Sequence, residues 1–133
     1  MNIGQASELS GISSKTIRYY ESIGLIPAPA RTDSGYRDYS HPEIETMRFI
    51  QRARNLGFTI KDVCELIDLW HDQHRASAQV KSLTQRHINE IEIKIKELES
   101  MRHTLVTLAE KCHGDDRPDC PILEDLAALN IGN

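Results

Sequence analysis

Apolar residues recur at helical spacing from the start of the chain: Ile3, Ala6 and Leu9 share one face, and Asn2 and Gln5 are placed as reciprocal capping partners. Gly11 is suited to end this helix in a left-handed turn. Ser13 or Ser14 caps a second helix, with Ile17 and Tyr20 facing inward and Lys15, Thr16 and Arg18 facing out. Ser40, Pro42 and Glu43 open a third, Ser40 as cap and Glu43 completing a capping box; Met47, Ile50 and Ala53 then share a face until Gly57. Thr59 caps a fourth helix with Asp62 three residues on, burying Val63, Leu66, Ile67 and Trp70. Cys64 falls in it and reads as a buried free thiol.

Between Ser77 and Lys111 there is neither proline nor glycine. A helix of about 35 residues there would extend roughly 50 Å. Ile88, Ile91, Ile95, Leu98, Met101, Leu105, Leu108 and Cys112 recur at steps of three and four, close to the 3.5-residue period of a coiled coil. Glu90, Glu92, Lys94, Lys96, Glu97, Glu99 and Arg102 keep the other faces wet. Alone, such a helix would expose on the order of several hundred Å² of apolar surface, so a partner is required, and a second copy is the simplest one. The expectation is a homodimer.

Chemistry concentrates in the second helix and the segment after it. Lys15, Arg18, Tyr19 and Tyr20 are followed by Arg31-Thr-Asp-Ser-Gly-Tyr-Arg-Asp-Tyr39, a glycine turn flanked by Tyr36 and Arg37. Cations attract phosphate, and tyrosines add hydroxyl donors on flat rings, so the pair reads as a helix and a wing on nucleic acid. An ordinary helical hairpin with a solvated basic face is the competing reading. The net charge of −4 is unusual for a DNA binder. Residues 1–56, however, hold seven Lys or Arg against six Asp or Glu, and eleven of the twenty acids follow residue 70. Local placement, not the total, sets a binding face. Arg54, near the end of the third helix, either complements that helix's dipole or reaches DNA.

The pattern Thr16-Ile-Arg-Tyr-Tyr-Glu, Gly24-Leu25, Arg31 and Gly35-Tyr-Arg-Asp-Tyr39 resembles the MerR family of bacterial transcription regulators, over residues 2 to about 67. The resemblance implies a mainly α-helical winged helix-turn-helix head on promoter double-stranded DNA, with a long antiparallel coiled-coil dimerisation helix. Matched residue by residue, it implies DNA contacts at Lys15, Thr16, Arg18, Tyr19, Tyr20, Arg31, Tyr36, Arg37 and Arg54. Tyr39 is expected to pack the base of the wing rather than touch DNA. The expected organisation is residues 1–70 as the DNA-binding domain, 71–111 as hinge and dimerisation helix, and 112–133 as a metal-binding loop with a short terminal helix.

Cys112 and Cys120 frame a seven-residue loop bent by Gly114 and Pro118, with Pro121 just beyond it. A disulfide would suit an oxidising compartment; a redox switch is a further possibility. Iron–sulfur clusters and structural zinc want four ligands, and the loop offers two thiols, with His113 a conceivable third. Two thiolates alone suit a soft monovalent ion. The spacing followed by Pro121-Ile122 resembles the CueR-type copper-efflux branch of the family, which implies Cu(I), Ag(I) or Au(I) held between the two cysteines, one ion per subunit. In related zinc, lead and mercury sensors the start of the long helix supplies a further cysteine to the site of the other subunit; Ser77 stands there, and by resemblance it withholds the extra thiolate that a divalent ion needs. Ser77 also suits the helix cap. A thiol-redox or divalent-metal regulator is the alternative function.

The resemblance further implies activation through RNA polymerase at the promoter. Only residues 121–133 follow the loop, too few for an organic-effector domain, and no nucleophile–base, paired-carboxylate or phosphate-loop arrangement suggests an enzyme. No apolar run approaches a membrane span and no signal-peptide core is evident, so the protein is expected to be cytoplasmic with no membrane partner.

Overall fold

The computed structural model describes residues 1–112, 114–115 and 118–128. Among the described residues six helices and a two-stranded ribbon form in the order α1 (Ile3–Ser10), α2 (Ser14–Ser22), β1 (Ala30–Arg31), β2 (Arg37–Asp38), α3 (His41–Asn55), α4 (Ile60–His71), α5 (Ser77–Lys111) and α6 (Pro121–Ala127). The chain divides into two compact units between Leu83 and Thr84. No helix among the described residues is long and apolar enough to cross a membrane.

Local chemistry sets the helix limits in the first unit. Asn2 and Gln5 form the reciprocal capping box of α1, and Gly11 ends it at φ 78°. Ser13 caps α2 by accepting the Thr16 N–H, and Thr59 caps α4 by accepting from Asp62. At α3 the box is one-sided: Ser40 accepts the Glu43 N–H, but Glu43 Oε2 is buried without a hydrogen-bond partner. The Glu43 carboxylate thus does not close the box that the spacing predicts.

The core gathers Ala6 from α1, Ile17 and Tyr20 from α2, Tyr39 at the wing base, Ile44, Met47 and Ile50 from α3, Val63 from α4, and Leu83 from the start of α5. The first unit therefore runs past residue 70. Three inward assignments differ from expectation. Leu9 is exposed while Ser10, four residues beyond Ala6 and so on its face, is buried. Cys64 is exposed because Val63, its neighbour, takes the inward direction, and the next residue points about 100° away. Trp70 is 38 % exposed, stacked on Phe49 with ring centroids 4.4 Å apart and planes within 5°. Near the helix end it covers α3 from the side instead of entering the core.

In the second unit the α5 stripe stays bare: Ile88, Ile91, Ile95, Leu98, Met101 and Leu105 are 40–58 % exposed, although Leu108 is buried.

Ile50 is fully buried, whereas Leu56 at the α3 C-cap is 62 % exposed. Ile50→Ala should cost about 2–5 kcal/mol, and Leu56→Ala should stay within about 0.5 kcal/mol. Urea unfolding followed by the fluorescence of the single tryptophan checks both: a lower midpoint at unchanged slope is expected for Ile50→Ala alone.

Candidate nucleic-acid interface and cysteine pair

The ribbon pairs Ala30 with Asp38 and Arg31 with Arg37, antiparallel. Thr32 closes its tip: its carbonyl accepts the Gly35 N–H at 2.8 Å, its N–H donates to Tyr36 O at 2.7 Å, and its Oγ1 accepts the Tyr36 N–H at 3.1 Å. Gly35 at φ 85° supplies the left-handed residue this turn requires. The turn holds Tyr36 out in solvent, 71 % exposed, and the Arg31 guanidinium donates across the tip to Gly35 O at 3.1 Å.

Lys15, Arg18 and Tyr19 are exposed on α2, and Thr16 is half-buried beside its cap. Arg18, Arg31, Arg37 and Tyr36 line a cleft of about 130 Å³ with Asn2 and Ile3 at the start of α1. Three guanidiniums and a helix N-terminus therefore meet in one concavity, an arrangement matched to an anion. Tyr20 departs from the expected contact set. It is 5 % exposed because its ring completes the core, so its face is not offered to a base or sugar. Arg54 spends one nitrogen on Phe58 O at 2.7 Å, which satisfies a carbonyl beyond the end of α3 and serves the dipole reading.

Sequence reasoning missed Glu21. Its side chain is only 9 % exposed and lies between the helix and the wing. Oε2 accepts from Arg37 Nε at 3.0 Å, and Oε1 accepts from the Tyr39 hydroxyl. The available signal was its register: three residues after Arg18 and four after Ile17, it occupies the seam between the wet and buried faces of α2. Tyr39 packs the wing base, 2 % exposed, as expected. Burial, then the hydrogen bond to Glu21 and the Glu21 charge, push its hydroxyl well above the ordinary tyrosine range; Arg37 and Arg18 oppose this.

In the second unit Cys112 and Cys120 are free and half-buried. Cys112 follows α5, its N–H donating to Ala109 O at 3.1 Å. Cys120 is the N-cap of α6 but makes no side-chain capping bond, so its sulfur is not committed to the helix. Gly114 turns the loop at φ 64°. Among the described residues no three His, Cys, Asp or Glu side chains gather as a metal site. Cys112 and Cys120 offer a pair of thiols, a donor set whose softness fits a soft metal ion. His113 lies outside the described residues. Ser77 is exposed at the first position of α5.

Comparison with known proteins finds two family models that match the chain. A model described as MerR family regulatory protein matches residues 2–39, and one described as MerR, DNA binding matches residues 44–108. Both stop short of the Cys112–Cys120 loop. The chain is 54 % identical over 127 residues to heavy metal-dependent transcription regulator 2 of Rhizobium meliloti (strain 1021), covering 96 % of this chain and 86 % of that one. It is 42 % identical over 127 residues to the HTH-type transcriptional regulator CueR of Escherichia coli O157:H7, covering 96 % and 94 %. Among solved structures, the transcription regulator PbrR691 of Ralstonia metallidurans CH34 in complex with lead(II) superposes with a TM-score of 0.80 at 31 % identity, covering 96 % and 99 %.

Tyr39 titration makes a prediction. A phenol whose folded pKa lies above its unfolded value near 10 keeps its proton in the fold after the unfolded chain has lost it. Its stabilising contribution is complete below about pH 10 and is lost as pH rises from there toward the folded value. Thermal unfolding between pH 8 and 11 should show wild-type stability falling more steeply above pH 10 than that of Tyr39→Phe. Parallel curves would remove the linkage.

Proposed function

This chain belongs to the MerR family of regulatory proteins and is a metal-responsive transcription regulator, not an enzyme; on that basis we propose that it is a Cu(I)-responsive activator of copper-efflux genes, working as a homodimer on promoter DNA. Ag(I) and Au(I) are accepted in place of Cu(I), with one ion per subunit.

The observation that carries this reading is the pair of free, half-buried thiols of Cys112, just after α5, and Cys120, at the N-cap of α6. Cys112 and Cys120 would hold a Cu(I) ion through their thiolates, which as soft ligands favour it over hard divalent ions. Ser77 at the start of α5 supplies no additional thiolate. The lead(II) complex of the Ralstonia regulator makes a divalent ion the competing reading, and Ser77 is the residue at which the two diverge.

DNA is met by the exposed side of α2, with Lys15, Thr16, Arg18 and Tyr19, and by the wing, with Arg31, Tyr36 and Arg37. Arg54 contributes through the nitrogens that Phe58 leaves free. In this reading Arg18 faces the major groove and Arg37 a backbone phosphate. Metal must favour the activating conformation over the repressing one, and deforming a promoter of this size costs on the order of 1–6 kcal/mol, so the differential binding is comparable. RNA polymerase then engages the deformed promoter. The bare stripe of α5 supports pairing with a second copy.

Cys112→Ser and Cys120→Ser should each abolish copper-dependent transcription in vitro while operator affinity is kept, since a hydroxyl does not replace thiolate toward Cu(I). Cys64→Ser should respond normally, and Ser77→Cys should gain a response to Zn(II). Activation of Cys120→Ser by copper would show that the two-thiolate site is wrong.

The pairing is tested separately. Ile95→Asp with Leu98→Asp puts two carboxylates in the stripe and should split the dimer in sedimentation, with loss of full-operator binding. A monomer that still binds the full operator normally would contradict the pairing.

A further inference from the structure

We propose that Glu21 is a positioning residue for DNA binding: a nearly buried carboxylate that joins α2 to the wing and sets Arg37 for a backbone phosphate. The inference rests on the reading that the wing meets DNA and adds to it the part that fixes the wing's place.

A carboxylate in the middle of a DNA-facing arginine cluster is electrostatically adverse. Arg18, Arg31 and Arg37 line one cleft, and Glu21 contacts one of the three directly. By long-range charge alone, its removal should strengthen attraction to a polyanion. Geometry gives the opposite expectation. The ribbon holds only two residues in each strand, too few to fix its own direction. Glu21 anchors it at two points on opposite carboxylate oxygens, Arg37 Nε on one and the Tyr39 hydroxyl on the other.

Because Nε is the nitrogen used, the bond points the guanidinium plane while the two terminal nitrogens are left for a phosphate. The tyrosine end cannot drift, since its ring is packed in the core. The two bonds therefore transmit the placement of α2 to the wing, so that Arg18 from the helix and Arg31 and Arg37 from the wing face one cleft together. Without the joint, Arg37 must be ordered at the moment of binding, and that cost weakens the complex.

The test measures affinity for operator and random duplex across salt, with melting temperature as a control of folding. Glu21→Gln should bind both duplexes about tenfold more weakly, with a smaller salt slope, even though the protein is one unit more positive. In an Arg37→Ala background the same change should have little further effect, because the group it positions is gone. Glu21→Asp, which keeps the charge but withdraws the oxygens by one methylene, should also weaken binding. It carries the prediction should Glu21→Gln fail to fold. Folded Glu21→Gln with equal or tighter binding would overturn the proposal, as would losses that simply add in the double variant. If Arg37→Ala itself leaves affinity and salt slope unchanged, what fails is the underlying assignment of the wing to DNA.

Discussion

A 35-residue helix with a continuous apolar stripe imposes the strongest single constraint on this molecule. Among the described residues its first turns reach a core through Leu83, and Leu108 is buried near its end. From Ile88 to Leu105 the stripe faces solvent, and water is a poor neighbour for six large apolar side chains. The helix is consistent with its sequence as a helix, but as an isolated surface it is not. In the proposed function a second copy resolves the conflict and presents two heads to two half-sites of one operator. The proposed dimer thus meets a burial requirement as well as a DNA one.

At the head the limiting factor is precision. Helix α2 takes its position from Ile17 and Tyr20 in the core, whereas the short ribbon is held through Glu21, Tyr39 and Met1, whose ammonium donates to Asp38 Oδ1 at 2.7 Å. A nearly buried carboxylate paired with one of the three arginines weakens the positive field but orders the guanidinium it holds. The arrangement is the familiar exchange of raw attraction for preorganisation.

Much of the fold was legible because local signals agreed with tertiary ones. The Asn2–Gln5 box, the Ser13 and Thr59 caps, the left-handed turn at Gly11 and the unbroken run from Ser77 to Lys111 each appear where their chemistry predicts. Departures arose where a one-dimensional period could not specify how far a side chain turns: Cys64 beside Val63, Trp70 at a helix end, and Leu9 against Ser10. Tyr20 was assigned two roles by the sequence, inward packing and DNA contact, and the structure realises the packing. Glu21 was illegible because its partners come from residues 16 and 18 positions later, brought to it only by the wing. The cysteine pair was visible as spacing, but no local rule relates spacing to the identity of a metal.

That identity is the central claim, and it turns on how many thiolates an ion finds. Cys112 and Cys120 are both free, and in the proposed reading Ser77 offers the partner subunit's site a hydroxyl in place of the third sulfur that would shift preference toward divalent ions. X-ray absorption on the protein dimer loaded anaerobically with Cu(I), together with the metal-to-protein ratio, tests this most directly. One ion per subunit surrounded by two sulfur atoms and no nitrogen or oxygen is the predicted result. A third sulfur, or a nitrogen or oxygen in the shell, would contradict the two-thiolate basis of monovalent sensing.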